Sequence, residues 1–177
     1  MRTNAVKRAI SALASRVQLE VCGIKKLTGE EDCIRDLPKK ITVDLDELWG
    51  KIRESEQKRV VVTEAAARIS REYGDGRMLC LSYEGMQRDM AGEMRELGLY
   101  LGSPIDEASL ARLDGEGVSY KRGSDSLGEY LENYAEVKEM LARRNPCLLE
   151  QLEEREPRDF PLCGAWVPEE EEEEEER

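Results

Sequence analysis

A single apolar run with the features of a β-strand lies in a chain whose other apolar residues recur at helical spacing. The run covers residues 77–83, contains Met78, Leu79 and Leu81, and follows a glycine-rich turn at residues 74–76. A short continuous apolar run of this kind predicts a strand that is buried on both faces, as in a parallel sheet. A lone strand cannot pair its own backbone groups, and the rest of the chain offers no good partner strands. The sequence therefore predicts part of an α/β fold, mostly helical with one clear strand, whose other strands lie before Met1.

The remaining apolar residues predict a series of helices. Asn4 is a plausible N-cap for the first of them and Asp44 for the second, because Asn and Asp side chains accept hydrogen bonds from first-turn amides. Two shorter helices are expected after Pro104 and around Leu149. The longer predicted helices, in which apolar residues recur three and four positions apart, cover residues 4–21, 44–73, 90–101 and 126–143.

Acidic charge is concentrated near the end of the chain. Eight glutamates at residues 169–176 account for most of the net charge of −12. We expect residues 1–152 to form the folded part and residues 153–177 to form a disordered, charged, proline-containing tail. The remainder of the chain is only mildly acidic, so nucleic-acid binding through a broad basic surface is not expected. The glutamate run would instead suit a basic partner.

The chain has no histidine and five scattered cysteines without a CxxC pair. The absence of histidine excludes Ser-His-Asp and Cys-His catalysis, and we expect no metal site. The odd number of cysteines favours reduced thiols that serve mainly in packing. This sequence shows neither a signal-peptide layout nor an apolar stretch near the roughly 18 residues that a membrane span needs. A cytoplasmic location is compatible with these features.

The first residues of the chain have the layout of an anion site. Arg2 lies just before the predicted N-cap, and Ser11 lies within the first helix. The free first-turn amides, the helix dipole and a planar guanidinium all favour a bound phosphate. Lys7 and Arg8 either add positive charge or face solvent. Taken alone, this pattern is more often an ordinary basic helix start than a binding site.

The predicted strand and the helix after it resemble an element of the sulfotransferase superfamily. In that family a strand ends in Tyr-Glu-Asp-Leu, an Asp-Pro follows, and the next helix ends in Phe-Leu-Gly. Here the strand ends in Tyr83-Glu84, and Gly85, Met90 and Tyr100 replace the Asp, the Pro and the Phe. Glu84 could assist catalysis, but a carboxylate at a strand end more often caps or orients a neighbouring helix.

The opening run is similar to the 3′-phosphate motif of the same superfamily. Arg2 and Ser11 match its Arg and helical Ser, one residue further apart than in the family. The resemblance covers residues 2–114 and, more loosely, extends to residue 152. It implies the C-terminal part of a P-loop-like sulfotransferase fold that is truncated at its N-terminus.

The resemblance also implies a function and its site residues. The donor would be 3′-phosphoadenosine 5′-phosphosulfate (PAPS), and a sulfuryl group would pass to an unknown hydroxyl or amine acceptor. Arg2 and Ser11 would bind the 3′-phosphate, and the loop residues Lys121, Arg122 and Gly123 would cover the nucleotide. The family's phosphosulfate loop and catalytic base are not in this chain, so the resemblance does not decide whether the chain is an enzyme.

Two alternatives to a sulfotransferase role remain open. The chain could be a non-catalytic acidic helical interaction module whose run at residues 169–176 engages a basic partner. It could also be an inactive gene fragment. A salt-sensitive interaction that needs the glutamate run would favour the first alternative, whereas stabilisation by adenosine 3′,5′-bisphosphate would favour the nucleotide site.

Overall fold

The architecture is helical. Across the part of the chain that the structure describes, 75% of residues are in helices and no strand or sheet is present. The predicted α/β, P-loop-like fold with a strand at residues 77–83 is therefore wrong. The computed structural model describes residues 3–23, 32–74, 78–113, 127–154, 159–160 and 162–163.

The described segments contain eight α-helices and two short 3₁₀ turns. The 3₁₀ turns are Asp32–Asp36 and Pro146–Leu148. The α-helices are α1 (Ala5–Cys22), α2 (Leu45–Tyr73), α3 (Tyr83–Arg88), α4 (Met90–Tyr100), α5 (Glu107–Leu113), α6 (Leu127–Tyr130), α7 (Tyr134–Arg144) and α8 (Leu149–Glu153).

The run that was predicted as a strand leads directly into α3. Ser82 is the N-cap of this helix, and its side-chain oxygen accepts a hydrogen bond from the Gly85 amide at 2.8 Å. Met78, Leu79 and Leu81 are half-buried rather than enclosed on two faces. A strand needs ladder partners, and without them the local cap determines the backbone conformation. The apolar pattern alone does not reveal this competition.

The long helices begin where their caps predict. The Asn4 side chain accepts from the Lys7 amide at 2.7 Å, and Asp44 accepts from the Glu47 amide at 2.8 Å. The helix expected over residues 126–143 is instead divided into α6 and α7. Leu131 lies between the two and forms an isolated parallel bridge with Ile41. This backbone pairing accounts for the interruption.

The hydrophobic core lies between α1, the first half of α2, α7 and α8. Helix α1 packs against α2 and α8, and α2 also packs against α7. The core is mainly aliphatic, as the scarcity of aromatic residues in the sequence implies. Its largest fully buried side chains include Ile10, Leu48, Ile52, Leu141 and Leu152.

Four of the five cysteines are paired. Cys22 at the end of α1 is bonded to Cys33, and Cys147 is bonded to Cys163. Cys80 is an exposed free thiol. The prediction of reduced cysteines is therefore wrong. The spacing of cysteines along a sequence does not show which of them the fold brings within bonding distance.

Candidate functional site

The first-turn amides of α1, where the sequence predicted a bound phosphate, are hydrogen-bonded to the protein's own side chains. The Gln151 side-chain oxygen accepts from the Ala5 amide at 2.7 Å and from the Val6 amide at 3.3 Å. The side-chain oxygen of Asn4, the N-cap residue, accepts a hydrogen bond from the Lys7 amide. Since the first three helical amides all have internal acceptors, this helix start offers them to no further ligand.

A buried carboxylate lies at the positive end of α1. Glu84 is only 3% exposed. It accepts from the Thr3 amide at 2.7 Å, from the Thr3 hydroxyl at 3.0 Å and from the Asn4 amide at 3.2 Å. The helix dipole favours an anion at this point. Glu84 therefore lies where a phosphate was expected to bind. Its hydrogen bonds orient a neighbouring helix, which is the alternative role that the sequence suggested for this residue.

A second buried carboxylate completes this polar cluster. Glu154 accepts from the Asn4 side-chain amide at 2.6 Å and pairs with the Lys7 ammonium at 3.0 Å. The Asn4 side chain also donates to the Gln151 carbonyl oxygen at 2.8 Å. Lys7 thus neutralises an internal charge. We call Thr3, Asn4, Lys7, Glu84, Gln151 and Glu154 the α1 polar cluster.

The structure describes one of the five residues that the sequence assigned to nucleotide binding. Ser11 is exposed on α1, and its carbonyl oxygen accepts from the Ser15 hydroxyl at 2.8 Å. Arg2, Lys121, Arg122 and Gly123 lie outside the described residues. Their assigned roles in nucleotide binding therefore stay predictions.

Part of the segment that was assigned to the tail packs onto the core. We call residues 159, 160, 162 and 163 the C-terminal strap. The Phe160 carbonyl oxygen accepts from the buried Arg59 guanidinium at 2.6 Å, and the Cys163 amide donates to Glu56 at 3.3 Å. Arg59 and Glu56 also form a buried ion pair with each other. Sequence reasoning missed this site, although a charged pair three residues apart on the core-facing side of α2 was a usable signal.

The strap also carries a carboxyl group with a shifted pKa. Burial alone would raise the pKa of Asp159, but hydrogen bonds from Ser82 and Arg88 and the positive charge of Arg88 outweigh this effect and lower the pKa. A lowered native pKa stabilises the fold above the unfolded pKa, and this contribution is lost as the pH falls through the native value. The Arg88–Asp159 pair, at 2.9 Å, is thus favoured at neutral pH.

Acid is expected to loosen the strap as the pH falls below about 4, the ordinary pKa of an aspartate. The Asp159→Asn variant should show a flatter dependence of Tm on pH below this value, because it has no carboxyl group to protonate. Thermal unfolding of both proteins at several pH values measures the effect. An unchanged pH slope in the variant would show that Asp159 does not couple the strap to pH.

The second half of α2 extends beyond the core. Within residues 60–73, which we call the distal half of α2, no residue is buried. Val61 is 64% exposed and Tyr73 is 67% exposed. All buried residues of the helix come earlier, and they are Leu48, Trp49, Ile52, Ser55, Glu56 and Arg59.

The outer face of the distal half combines an apolar stripe with charged residues. Val61, Ala65 and Ile69 recur at four-residue spacing and so share one side of the helix. Helical spacing places the charged residues Glu64, Arg68 and Arg71 along one side of this stripe. An open depression of about 850 Å³ adjoins it, and its lining residues are Val61, Glu64, Ala65, Ala67, Arg68, Ser70 and Arg71.

Comparison with known proteins identifies no relative of this chain. No family model, curated protein or solved structure matches the chain. Within the described ranges, no group of Cys, Asp or Glu residues could hold a metal ion. In the same ranges, no helix is both long and apolar enough to cross a membrane.

Proposed function

We propose that this chain is a non-catalytic helical interaction module whose binding surface is the distal half of α2. One observation carries the proposal: α2 continues from residue 60 to Tyr73 beyond its last buried residue, Arg59, and carries there an apolar stripe that runs from the exposed Val61 to the half-buried Ile69. An amphipathic helix face of this kind is what partner proteins recognise in helix–helix and helix-in-groove complexes. The partner on this face is accordingly a helix with an apolar stripe.

The first half of α2 is anchored by its buried residues Leu48, Trp49 and Ile52 and by ion pairs with α1 and α7. Arg16 on α1 pairs with Glu47, and Arg144 on α7 pairs with Asp46 at 3.0 Å. The Arg144 guanidinium also lies 5.3 Å from the centre of the Trp49 ring. A surface that is already ordered loses little conformational entropy when it binds, which favours affinity.

The acidic run at residues 169–176 lies outside the described residues, and its role is part of the proposal. Eight consecutive carboxylates attract basic segments over roughly the Debye length, which is about 8 Å at physiological salt. This attraction raises association rates more than it raises final affinity. A basic partner is therefore favoured, and its binding is expected to weaken as salt increases.

The two disulfides bear on where such a module acts. Disulfides persist in oxidising compartments and are rare in the cytoplasm. The pairs Cys22–Cys33 and Cys147–Cys163 therefore favour an oxidising compartment over the cytoplasmic location that the sequence suggested.

A sulfotransferase role has less support than the interaction module. Its expected sheet is not found among the described residues, and the α1 amides that would face a 3′-phosphate are bonded to Asn4 and Gln151. PAPS as a donor substrate has no support from the described geometry.

Binding of a synthetic basic amphipathic helix, built from lysine and leucine, tests the proposal. We expect saturable binding in isothermal titration calorimetry. The Val61→Glu variant should weaken it by about tenfold, because it removes buried apolar area from the interface. Deletion of residues 169–177 should remove most of the salt dependence.

The Lys51→Glu variant is the matched control for this titration. Lys51 is exposed on α2 but precedes the distal half, so its replacement should leave peptide binding unchanged. The absence of saturable binding would contradict the proposal. If the Val61→Glu variant bound the peptide as tightly as the unchanged chain does, the distal half of α2 would not be the binding surface.

A further inference from the structure

The charged residues along the outer face of α2 are arranged so that the face complements itself. Around Ala65, Lys58 lies seven residues before and Glu72 lies seven residues after. Val61 and Ile69 lie four residues before and four after. An antiparallel copy of the same helix, crossing at Ala65, would therefore place Lys58 opposite Glu72 and Val61 opposite Ile69.

We propose that the helix which binds the distal half of α2 is the distal half of α2 from a second copy of this chain. This inference rests on the proposed function, because it names the occupant of the same surface. Although the chain as a whole is acidic, residues 58–72 carry four basic and two acidic side chains and so form a basic helix. A two-fold axis through Ala65 makes the contact isologous, so each favourable pair occurs twice. The small Ala65 side chain permits a close approach of the two helices at the axis.

Exposure and side-chain length allow these contacts. Lys58 and Glu72 are both exposed and Val61 is 64% exposed, whereas Ala65 and Ile69 are half-buried. The Lys58 ammonium already pairs with Glu54 on its own helix, and a flexible lysine side chain can turn from that carboxylate to another nearby. The two-fold pairing thus adds an ion pair at each end of the apolar contact between Val61 and Ile69.

The contact area sets the strength of this association. Residues 58–72 extend over about 22 Å at 1.5 Å per residue. One helix pair of this length lies at the low end of specific interfaces, below the roughly 1,600 Å² of a standard one. The dimer is therefore reversible and depends on protein concentration and on salt.

Charge exchange at the two ends of the stripe tests the pairing. In sedimentation velocity at increasing protein concentration, we expect reversible dimers of the intact chain. Lys58→Glu places two like charges opposite each other, and so does Glu72→Lys, so each single variant should weaken dimerisation by about tenfold. The double variant restores both ion pairs and should return to within about threefold of the unchanged chain.

Lys51→Glu is the matched control for Lys58→Glu. Both lysines contact Glu54 on the same helix, at 3.5 Å for Lys51, but Lys51 lies outside the paired stretch. Its replacement therefore reproduces the local charge change and should leave dimerisation unaltered. Circular dichroism of each variant verifies that the helices are intact.

Two results would overturn the assignment of a second copy. One is an intact chain that stays monomeric up to about 1 mM, the range of the weakest complexes. The other is a double variant that dimerises no better than the single variants. A monomeric chain that still binds the lysine–leucine peptide through Val61 would reject the second copy as the partner but would still support the proposed interaction module. A chain that neither dimerises nor binds the peptide would contradict both proposals.

Discussion

Replacing Glu84 by leucine is expected to lower the free energy of unfolding by about 3 kcal/mol, because buried donors lose their acceptor. Three donors are affected: the Thr3 amide, the Thr3 hydroxyl and the Asn4 amide. Leucine has a similar size, so the loss reports the carboxylate rather than a cavity. Urea denaturation followed by circular dichroism measures the change.

Glu96→Leu is the matched control for this substitution. Glu96 is exposed on α4, so the same replacement there should change stability by no more than about 0.5 kcal/mol. If Glu84→Leu were as mild as the control, the α1 polar cluster would not hold α1 in place.

Removal of the Cys147–Cys163 disulfide is expected to cost about 3 kcal/mol of stability, the amount typical for a closed loop of about 15 residues. The two cysteines are 16 positions apart. The double replacement Cys147→Ser and Cys163→Ser removes the covalent link of the strap without leaving a free thiol. Denaturation measures the loss, and hydrogen exchange at the Phe160 and Cys163 amides should become faster as the strap opens.

Cys80→Ser is the control for the disulfide experiment. Cys80 is an exposed free thiol, so its replacement should leave stability nearly unchanged. Dithiothreitol should destabilise the Cys80→Ser protein as strongly as the unchanged chain. Equal stability of the oxidised and reduced forms would show that neither disulfide supports the fold.

Local signals in the sequence predicted the helix starts correctly, whereas long-range partners could not be predicted. Asn4 and Asp44 act on amides three residues away, so their roles can be inferred from a short stretch of sequence. Glu84 contacts a residue 81 positions away, and Gln151 contacts one 146 positions away. The periodic spacing of apolar residues gives no information about such long-range hydrogen bonds. The same limit applies to the disulfides.

The strand prediction failed for a related reason. An apolar run shows that side chains avoid water, but the backbone conformation depends on which partners are available. At residues 78–82 no partner strand is present among the described residues, and the Ser82 cap turns the chain into α3. The sulfotransferase resemblance depended on this strand for its fold. The alternative role of Glu84, orienting a neighbouring helix, is seen in its hydrogen bonds with Thr3 and Asn4, although Glu84 lies in α3 and not at a strand end.

The distal half of α2 shows how far periodicity can predict a binding surface. The helix was expected to reach residue 73, and it does. However, the spacing of Val62, Ala66 and Ile69 resembles that of the core positions Leu48 and Ile52. Periodicity identifies a face but not what covers it. Only the structure shows that the core ends at Arg59.

An NMR titration that follows backbone amide shifts tests the central claim most directly. The protein is titrated with the lysine–leucine peptide and, separately, with adenosine 3′,5′-bisphosphate. The interaction module predicts that the peptide shifts amides in residues 60–73 and that the nucleotide shifts none. Nucleotide-induced shifts at residues 3–11, with no peptide response in α2, would contradict it and would place the function at the start of α1.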